Sequence, residues 1–233
     1  TLYHDDPRHG CDRGNATRAA QMGDIVHLAD GNVTLEVNIQ ASTPIERVDV
    51  FNGLERVETI RPFVKEELGS RIRVIWEGAE YRGRFRQVIW DGSAFLSDNE
   101  VVSATAINFF NKDKLLNQPS PNELNWQALT TGNIGGVEMT LANAYDGTLN
   151  IETPLIKAGI TLEDIGYEDK IFDNSGKLPR YLKLFRLPDV NPHKTLSFTR
   201  PIDLRPDGDN PIFIRLTQED GCMSWSSPIY IYR

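Results

Sequence analysis

Alternating apolar and polar residues predict β-strands along most of this chain. Between Val33 and Ile39 every second residue is apolar, which is the period expected of a strand with one face on a core. Turn dipeptides such as Asn52-Gly53 and Asp146-Gly147 follow segments of this kind. No helical period extends beyond about two turns. The pattern therefore predicts an all-β fold, specifically an antiparallel two-sheet β-sandwich with long loop excursions.

The domain organisation is inferred from changes in composition. Residues 1–19 are polar and irregular, which is typical of an N-terminal arm or linker. Strand and turn signals recur through residues 20–233, so we predict a single β-sandwich domain there. Within it, residues 112–136 are rich in Asn, Pro, Gly and Gln and have no clear period. We expect a long surface excursion in that range.

A four-stranded antiparallel meander is predicted between Arg71 and Ala106, with a tight turn at Gly78-Ala79. Its first hairpin places arginines opposite each other on one face, Arg71 with Arg86 and Arg73 with Arg84. Like charges across a sheet repel unless acids or a bound anion neutralise them. This arginine face is either an anion-binding or domain-docking surface, or a ladder of internal salt bridges. The 33 acidic residues of the chain favour the salt bridges.

Charge and cysteine content narrow the possible partners. The formal net charge of −8 would repel nucleic acid and anionic membranes, so we expect neither as a partner. No apolar run approaches the roughly 20 residues that cross a bilayer. Cys11 and Cys222 are predicted to be two reduced thiols, with a single bridge between them as the alternative. Compartment and oligomeric state stay open.

Metal and cofactor sites are not expected. His4, Asp5, Asp6 and His9 carry side chains that suit zinc or manganese, but a polar terminal arm provides no rigid second shell, so they are weak candidates. The chain has no Gly-rich phosphate loop, no Gly-x-Ser-x-Gly motif and no Cys/His dyad signal. We therefore predict that this chain is not itself an enzyme.

Aromatic residues offer another possible site. Tryptophans on a β-sandwich can form a stacking platform for sugars, although most of them pack in or against the core. Trp126 lies inside the Pro- and Asn-rich excursion and is the one that we expect to be exposed.

Several motifs together resemble a known arrangement of domains. They are Gln21-Met22-Gly23-Asp24, the segment Pro44 to Gly53, Tyr81-Arg82-Gly83-Arg84 leading to Trp90-Asp91-Gly92, Arg215 to Gly221, and Trp225 to Tyr230. In the same order they resemble the C-terminal β-rich region of an uncharacterised family. In that family the region follows a metal-dependent barrel related to the polymerase and histidinol phosphatase (PHP) phosphoesterases. The resemblance covers about half of the chain and adds little over residues 112–210.

The resemblance implies a non-catalytic accessory domain of a PHP-type hydrolase. Its partner would be an N-terminal catalytic domain of the same polypeptide, and the start at Thr1 fits an excised piece. The chain has no His-x-His metal motif, so no catalytic residue is transferred from the family. The alternative is an independent carbohydrate- or ligand-binding sandwich, which exposed aromatic residues forming a platform or groove would favour.

Overall fold

A computed structural model describes residues 2–4, 19–28 and 32–232 of the chain. Its strands are β1 (Leu2–His4), β2 (Ala19–Ala20), β3 (Ile25–His27), β4 (Val33–Gln40), β5 (Ile45–Asn52), β6 (Glu55–Ile60), β7 (Leu68–Gly78), β8 (Val88–Ile89), β9 (Gly92–Ser97), β10 (Val101–Ile107), β11 (Leu116–Ser120), β12 (Glu123–Trp126), β13 (Leu129–Thr130), β14 (Ile134–Leu141), β15 (Thr148–Glu152), β16 (Lys157–Thr161), β17 (Lys170–Asp173), β18 (Arg180–Pro188), β19 (Thr195–Ile202), β20 (Asn210–Gln218), β21 (Met223–Trp225) and β22 (Ile229–Tyr232). Short 3₁₀ segments occur at Lys65–Glu67, Arg84–Arg86 and Leu162–Asp164. The predicted all-β fold is confirmed. In the described part of the chain, no helix has the length and apolar character needed to span a membrane.

The chain folds into two compact units. Unit 1 contains Thr1–Pro62 and Pro192–Arg233, and unit 2 contains Phe63–Asn191. The structure thus divides between two units the range 20–233 that the sequence predicted as one domain. The physical reason is that alternation identifies strands but does not indicate which core they share.

Unit 1 is built from two sheets. One has the strand order β19-β4-β1-β2, and the other has the order β3-β22-β20-β5-β6 with β21 added to β20. Neighbouring strands are antiparallel except β22 and β3, which are parallel. The alternation predicted for β4 is confirmed, because Val33, Leu35 and Val37 are buried beside Ile212 and Ile229 of the other sheet.

Asp49 is a fully buried carboxylate on β5 of unit 1. It accepts hydrogen bonds from Thr59 Oγ1 on β6 at 2.6 Å and from an Arg215 guanidinium nitrogen on β20 at 2.8 Å. Burial raises the pKa of Asp49, but the Arg47 charge and these two partners outweigh burial. The pKa therefore lies below its ordinary value of 3.8.

Unit 2 is a sandwich of two five-stranded sheets with the orders β10-β14-β7-β18-β17 and β11-β12-β9-β15-β16. Strands β13 and β8 form a separate pair. Buried residues of both large sheets join one hydrophobic cluster, for example Trp76 and Val137 from the first sheet with Leu124 and Leu149 from the second. This cluster is the core that holds the two sheets of unit 2 together.

Arg186 is a fully buried cation on β18 of unit 2. Its guanidinium donates to the backbone carbonyls of Ile165 at 2.8 Å, Gly69 at 2.9 Å and Leu162 at 2.6 Å. The Tyr145 ring lies 4.6 Å away, and no carboxylate of the described residues is within ion-pair distance. Burial lowers the pKa of Arg186, with Tyr145 and Asp189 opposing the shift. An arginine stays protonated in this setting, so its hydrogen bonds link β18 to the start of β7 and to the 3₁₀ turn at Leu162–Asp164.

The hairpin predicted at Gly78-Ala79 is wrong. Strand β7 pairs with β14 and β18, so that Trp76 lies opposite Gly135 and Leu182. The arginines at 84 and 86 fall in a 3₁₀ segment outside the large sheets. In that segment Phe85 has a φ of 66° and is 65% exposed. The turn signal at Gly78-Ala79 depends only on neighbouring residues. The strand that pairs with β7 is instead β14, which lies far along the chain and has its own apolar alternation.

The surface excursion predicted over residues 112–136 is also wrong. The range contains β11, β12 and β13, and β12 pairs with β9 in the sheet. Leu124, Trp126 and Ala128 are buried at every second position. The short alternation was overlooked in the sequence because the range is rich in Asn and Pro. The residues between the buried apolar positions are polar, as they would be in a loop.

Candidate ligand-binding cleft

A cleft of about 330 Å³ opens in unit 2, and we call it the cleft below. Its wall comes from three parts of the chain. They are Trp76 on β7, residues 108–111 and Lys114 after β10, and the segment between β12 and the start of β14, of which residues 127–129, Thr131, Asn133 and Gly135 line the cleft. Its volume falls at the small end of the range of roughly 300–1,000 Å³ that is typical of small-molecule sites.

Aromatic rings form the apolar part of the cleft wall. The Trp76 side chain is fully buried and stacks on Trp126, with ring centroids 5.2 Å apart and an interplanar angle of 13°. Phe109 packs against Trp76 with its centroid at 6.0 Å. Phe110 is 79% exposed and also lines the cleft. An exposed ring beside buried ones offers a face on which an apolar ligand surface can pack.

The indole N–H of Trp76 has no acceptor among the described residues, although the nitrogen is buried. The two other tryptophans of unit 2 are satisfied. Trp90 donates to Thr130 Oγ1 at 2.9 Å, and Trp126 donates to the Trp90 carbonyl at 2.7 Å. A buried donor without a partner costs about 1–3 kcal/mol. This makes the Trp76 N–H exceptional in unit 2.

Gly135 lies beside that donor and lines the cleft with it. A Cβ atom at position 135 would come within 2.7 Å of Trp76 Nε1, closer than real contacts allow. Glycine at position 135 therefore allows the Trp76 indole to pack directly on the backbone of β14, which a larger residue would prevent.

Lys114 is the charged residue of the cleft wall. Its Nζ lies 3.8 Å from Asp91 Oδ1, and its side chain is 24% exposed. The same carboxylate oxygen accepts a hydrogen bond from the Ala128 N–H at 2.9 Å. A separation of 3.8 Å is an ion pair but is too long for a hydrogen bond, so the ammonium keeps its donors available.

The remaining polar groups of the wall are amides and a hydroxyl. They are the side chains of Asn108, Asn111, Gln127, Asn133 and Thr131. The described wall combines hydrogen-bonding groups with aromatic rings but contains no Asp, Glu, His, Cys or Ser. Such a set of residues can bind and orient a ligand, and it lacks the paired acid and base that general acid–base catalysis uses.

The predicted arginine face is only partly assembled. Arg71 and Arg73 lie on one face of β7 and both bind Glu138 of β14. Arg71 Nε and one terminal nitrogen are each 2.8 Å from Glu138 Oε1, whereas those of Arg73 are 2.8 and 2.7 Å from Oε2. On the same face of β7, Glu77 pairs with Lys183 of β18 at 2.6 Å. The salt-bridge interpretation thus describes Arg71 and Arg73, and neither lies opposite Arg84 or Arg86 as predicted.

The other predicted site residues are placed as follows. Trp126 is 3% exposed, so its indole is not available as a stacking platform. His4 lies in β1 by its backbone, and Asp5, Asp6, His9 and Cys11 fall outside the described residues. Among the residues that are described, no group of three His, Cys, Asp or Glu side chains could hold a metal ion, and Cys222 is an exposed thiol.

Sequence reasoning missed the cleft because three distant segments build it. One signal was present, namely the run Asn108-Phe109-Phe110-Asn111 directly after β10. Two adjacent aromatic residues between asparagines cannot both face a core, because neighbouring side chains point to different sides of an extended chain.

Comparison with known proteins returned no relative. The chain matches no protein-family model, and neither a curated protein nor a solved structure is significantly similar to it. The relationship to the PHP-associated family therefore stays a prediction.

Proposed function

We propose that this chain is a non-catalytic binding module that holds a small organic ligand in the cleft of unit 2. The observation that carries the proposal is the buried Trp76 N–H, which lacks an acceptor in the wall of a cleft. A bound ligand that supplies an acceptor oxygen would remove this energetic cost.

The wall favours a ligand with an apolar face and a polar edge. Phe110 offers an exposed ring, and the amides and Lys114 offer hydrogen bonds. A carbohydrate has this combination, because its C–H groups pack on aromatic rings while its hydroxyls bond to amides. The carbohydrate- or ligand-binding alternative drawn from the sequence is therefore the function that the geometry supports best.

The accessory role in a PHP-type hydrolase is compatible with this proposal. A binding module attached to a metal-dependent hydrolase would hold substrate near the catalytic domain and raise its local concentration. The N-terminal catalytic domain of the same polypeptide is the proposed partner in that arrangement.

Two-dimensional NMR of the ¹⁵N-labelled chain tests the proposal. Each of the four tryptophans gives one indole N–H signal, and the signal that Trp76→Phe removes identifies the Trp76 donor. A panel of neutral and acidic mono- and disaccharides is then titrated. We expect at least one ligand to shift the Trp76 indole signal together with the backbone amides of residues 108–114.

The phenylalanine variant keeps an aromatic ring but lacks the N–H donor and part of the indole, so binding should weaken about tenfold. Trp225→Phe is the matched control, because Trp225 lies in unit 1 and is 58% exposed. The proposal fails if no member of the panel perturbs the cleft signals, or if Trp76→Phe binds as tightly as the wild type.

A further inference from the structure

We infer that the ligand of the cleft carries a single carboxylate, as a sugar acid does, with Lys114 as its cation. This inference rests on the proposed function and specifies its ligand class. It depends on which hydrogen-bonding groups of the wall are already used within the protein and which remain.

Two of the four side-chain amide oxygens of the wall are occupied. Asn111 Oδ1 accepts from the Asp113 N–H at 2.9 Å, and Asn133 Oδ1 accepts from the Thr131 N–H at 2.9 Å. Because a backbone N–H can only donate, these contacts fix which end of each amide is the oxygen. Asn111 therefore retains its NH₂ group, a donor, as its remaining hydrogen-bonding group.

Two further groups of the wall are donors only, whereas the Gln127 amide and the Thr131 hydroxyl can both donate and accept. Trp76 Nε1–H has no acceptor among the described residues. Lys114 Nζ has only the 3.8 Å ion pair with Asp91, whose nearer oxygen is also held by the Ala128 N–H. A wall in which donors outnumber free acceptors is complementary to a ligand rich in acceptor oxygens.

The charge balance selects a carboxylate over a phosphate. Lys114 is the charged side chain of the described wall, and Asp91, which is outside the wall, partly neutralises it at 3.8 Å. One partly neutralised ammonium balances a monoanion. A phosphate ester carries close to two negative charges and is usually bound by several cationic or backbone donors.

Matched ligands separate charge from shape. D-glucuronate and its neutral amide, D-glucuronamide, have nearly the same size, and so do D-galacturonate and D-galacturonamide. Glucose 1-phosphate serves as the phosphate probe. The affinity of the full chain for each is measured by NMR titration of the Trp76 indole signal, with isothermal calorimetry as an independent readout.

We expect each carboxylate to bind about tenfold or more tightly than its amide, which is the usual effect of a charged over a neutral hydrogen bond. Lys114→Met keeps the aliphatic stem and removes the cation, so it should weaken binding of each carboxylate until the preference over the amide is lost. Lys112→Met is the control, because Lys112 is exposed and lies outside the cleft wall. It should keep the wild-type preference.

Equal affinity for a carboxylate and its amide would overturn the inference, and so would a Lys114→Met variant that keeps the preference. Tighter binding of glucose 1-phosphate than of the sugar acids would overturn it too. In each of these cases Trp76→Phe still weakens binding, so the proposed function survives. If no probe shifts the Trp76 signal, the proposed function fails together with the inference.

Discussion

Replacing Glu138 by glutamine removes the carboxylate that two arginines of β7 share. The three side chains are well shielded, with exposures of 13% for Arg71, 3% for Arg73 and 17% for Glu138. Breaking a buried ion pair by removing one partner costs about 3–5 kcal/mol, because the remaining charge is left uncompensated. Since the side chains of Glu138 and Arg71 remain partly exposed to solvent, we expect a loss at the lower end of this range. The free energy of unfolding should fall by about 3 kcal/mol, which is more than a hundredfold in the unfolding equilibrium constant.

Urea unfolding followed by tryptophan fluorescence measures this loss. Trp76, Trp90 and Trp126 lie in unit 2, whereas Trp225 alone lies in unit 1, so the signal reports mainly on unit 2. Glu163→Gln is the matched control, because Glu163 is exposed, and it should change stability by no more than about 0.5 kcal/mol.

A second substitution checks the cause of the effect. Adding Arg73→Leu to Glu138→Gln removes the more buried of the two arginine charges that bound Glu138, and it should restore at least about 1 kcal/mol. The reasoning is refuted if Glu138→Gln is no more destabilising than Glu163→Gln, or if Arg73→Leu lowers the stability of the glutamine variant further.

Three further outcomes are expected. Arg186→Met should destabilise unit 2 by about 3 kcal/mol in the same urea assay, because three backbone carbonyls lose their donor. Phe85→Gly should raise the stability of unit 2 by up to about 1 kcal/mol, because the left-handed φ of 66° costs an L-residue energy that glycine does not pay. Asp49→Asn should destabilise unit 1 above about pH 4, and the difference from the wild type should vanish as the pH falls through the lowered pKa of Asp49. NMR-detected urea unfolding of unit 1 residues measures that difference.

The first two outcomes have control variants, and the third has a result that would contradict it. Arg82→Met changes an exposed arginine of unit 2 and should leave stability within about 0.5 kcal/mol. Phe95→Gly makes the same chemical change as Phe85→Gly, but within strand β9, and should destabilise instead. If both glycine variants shift stability in the same direction, the strain argument is wrong. For Asp49, a destabilisation that stays constant between about pH 2 and 6 would contradict the lowered pKa, since protonating the wild-type carboxylate must remove its advantage.

The strands were predictable from the sequence, and their partners were not. Strand β4 was recognised from its own alternation, because that signal is local and one of its faces is buried. The pairing of β7 depends on residues 134–141 and 180–188, which are far away in the chain. The sequence led us to expect acids or a bound anion beside Arg71 and Arg73, and Glu138 is such an acid, on a strand whose pairing with β7 local reasoning did not predict.

The cleft could not be predicted for a related reason. Its rings, amides and lysine come from segments that carry no motif individually, and only the fold brings them together. The buried state of Trp126 was hidden by its polar neighbours, although Leu124 and Ala128 already marked an alternation. The missing acceptor of Trp76 is a property of three-dimensional packing and has no sequence signal at all.

The order of the two units along the chain affects how the protein emerges from the ribosome. Unit 1 begins before Pro62 and is completed only after Pro192, so β4 and β5 are synthesised long before β19 and β20. About 150 residues separate β4 from its partner β19, and at roughly 5–20 residues per second this is a delay of about 8–30 s. Unit 2 is one continuous segment and can fold during this delay. The unpaired edges of β4 and β5 stay exposed meanwhile, which makes slow translation the condition under which the nascent chain most needs a chaperone.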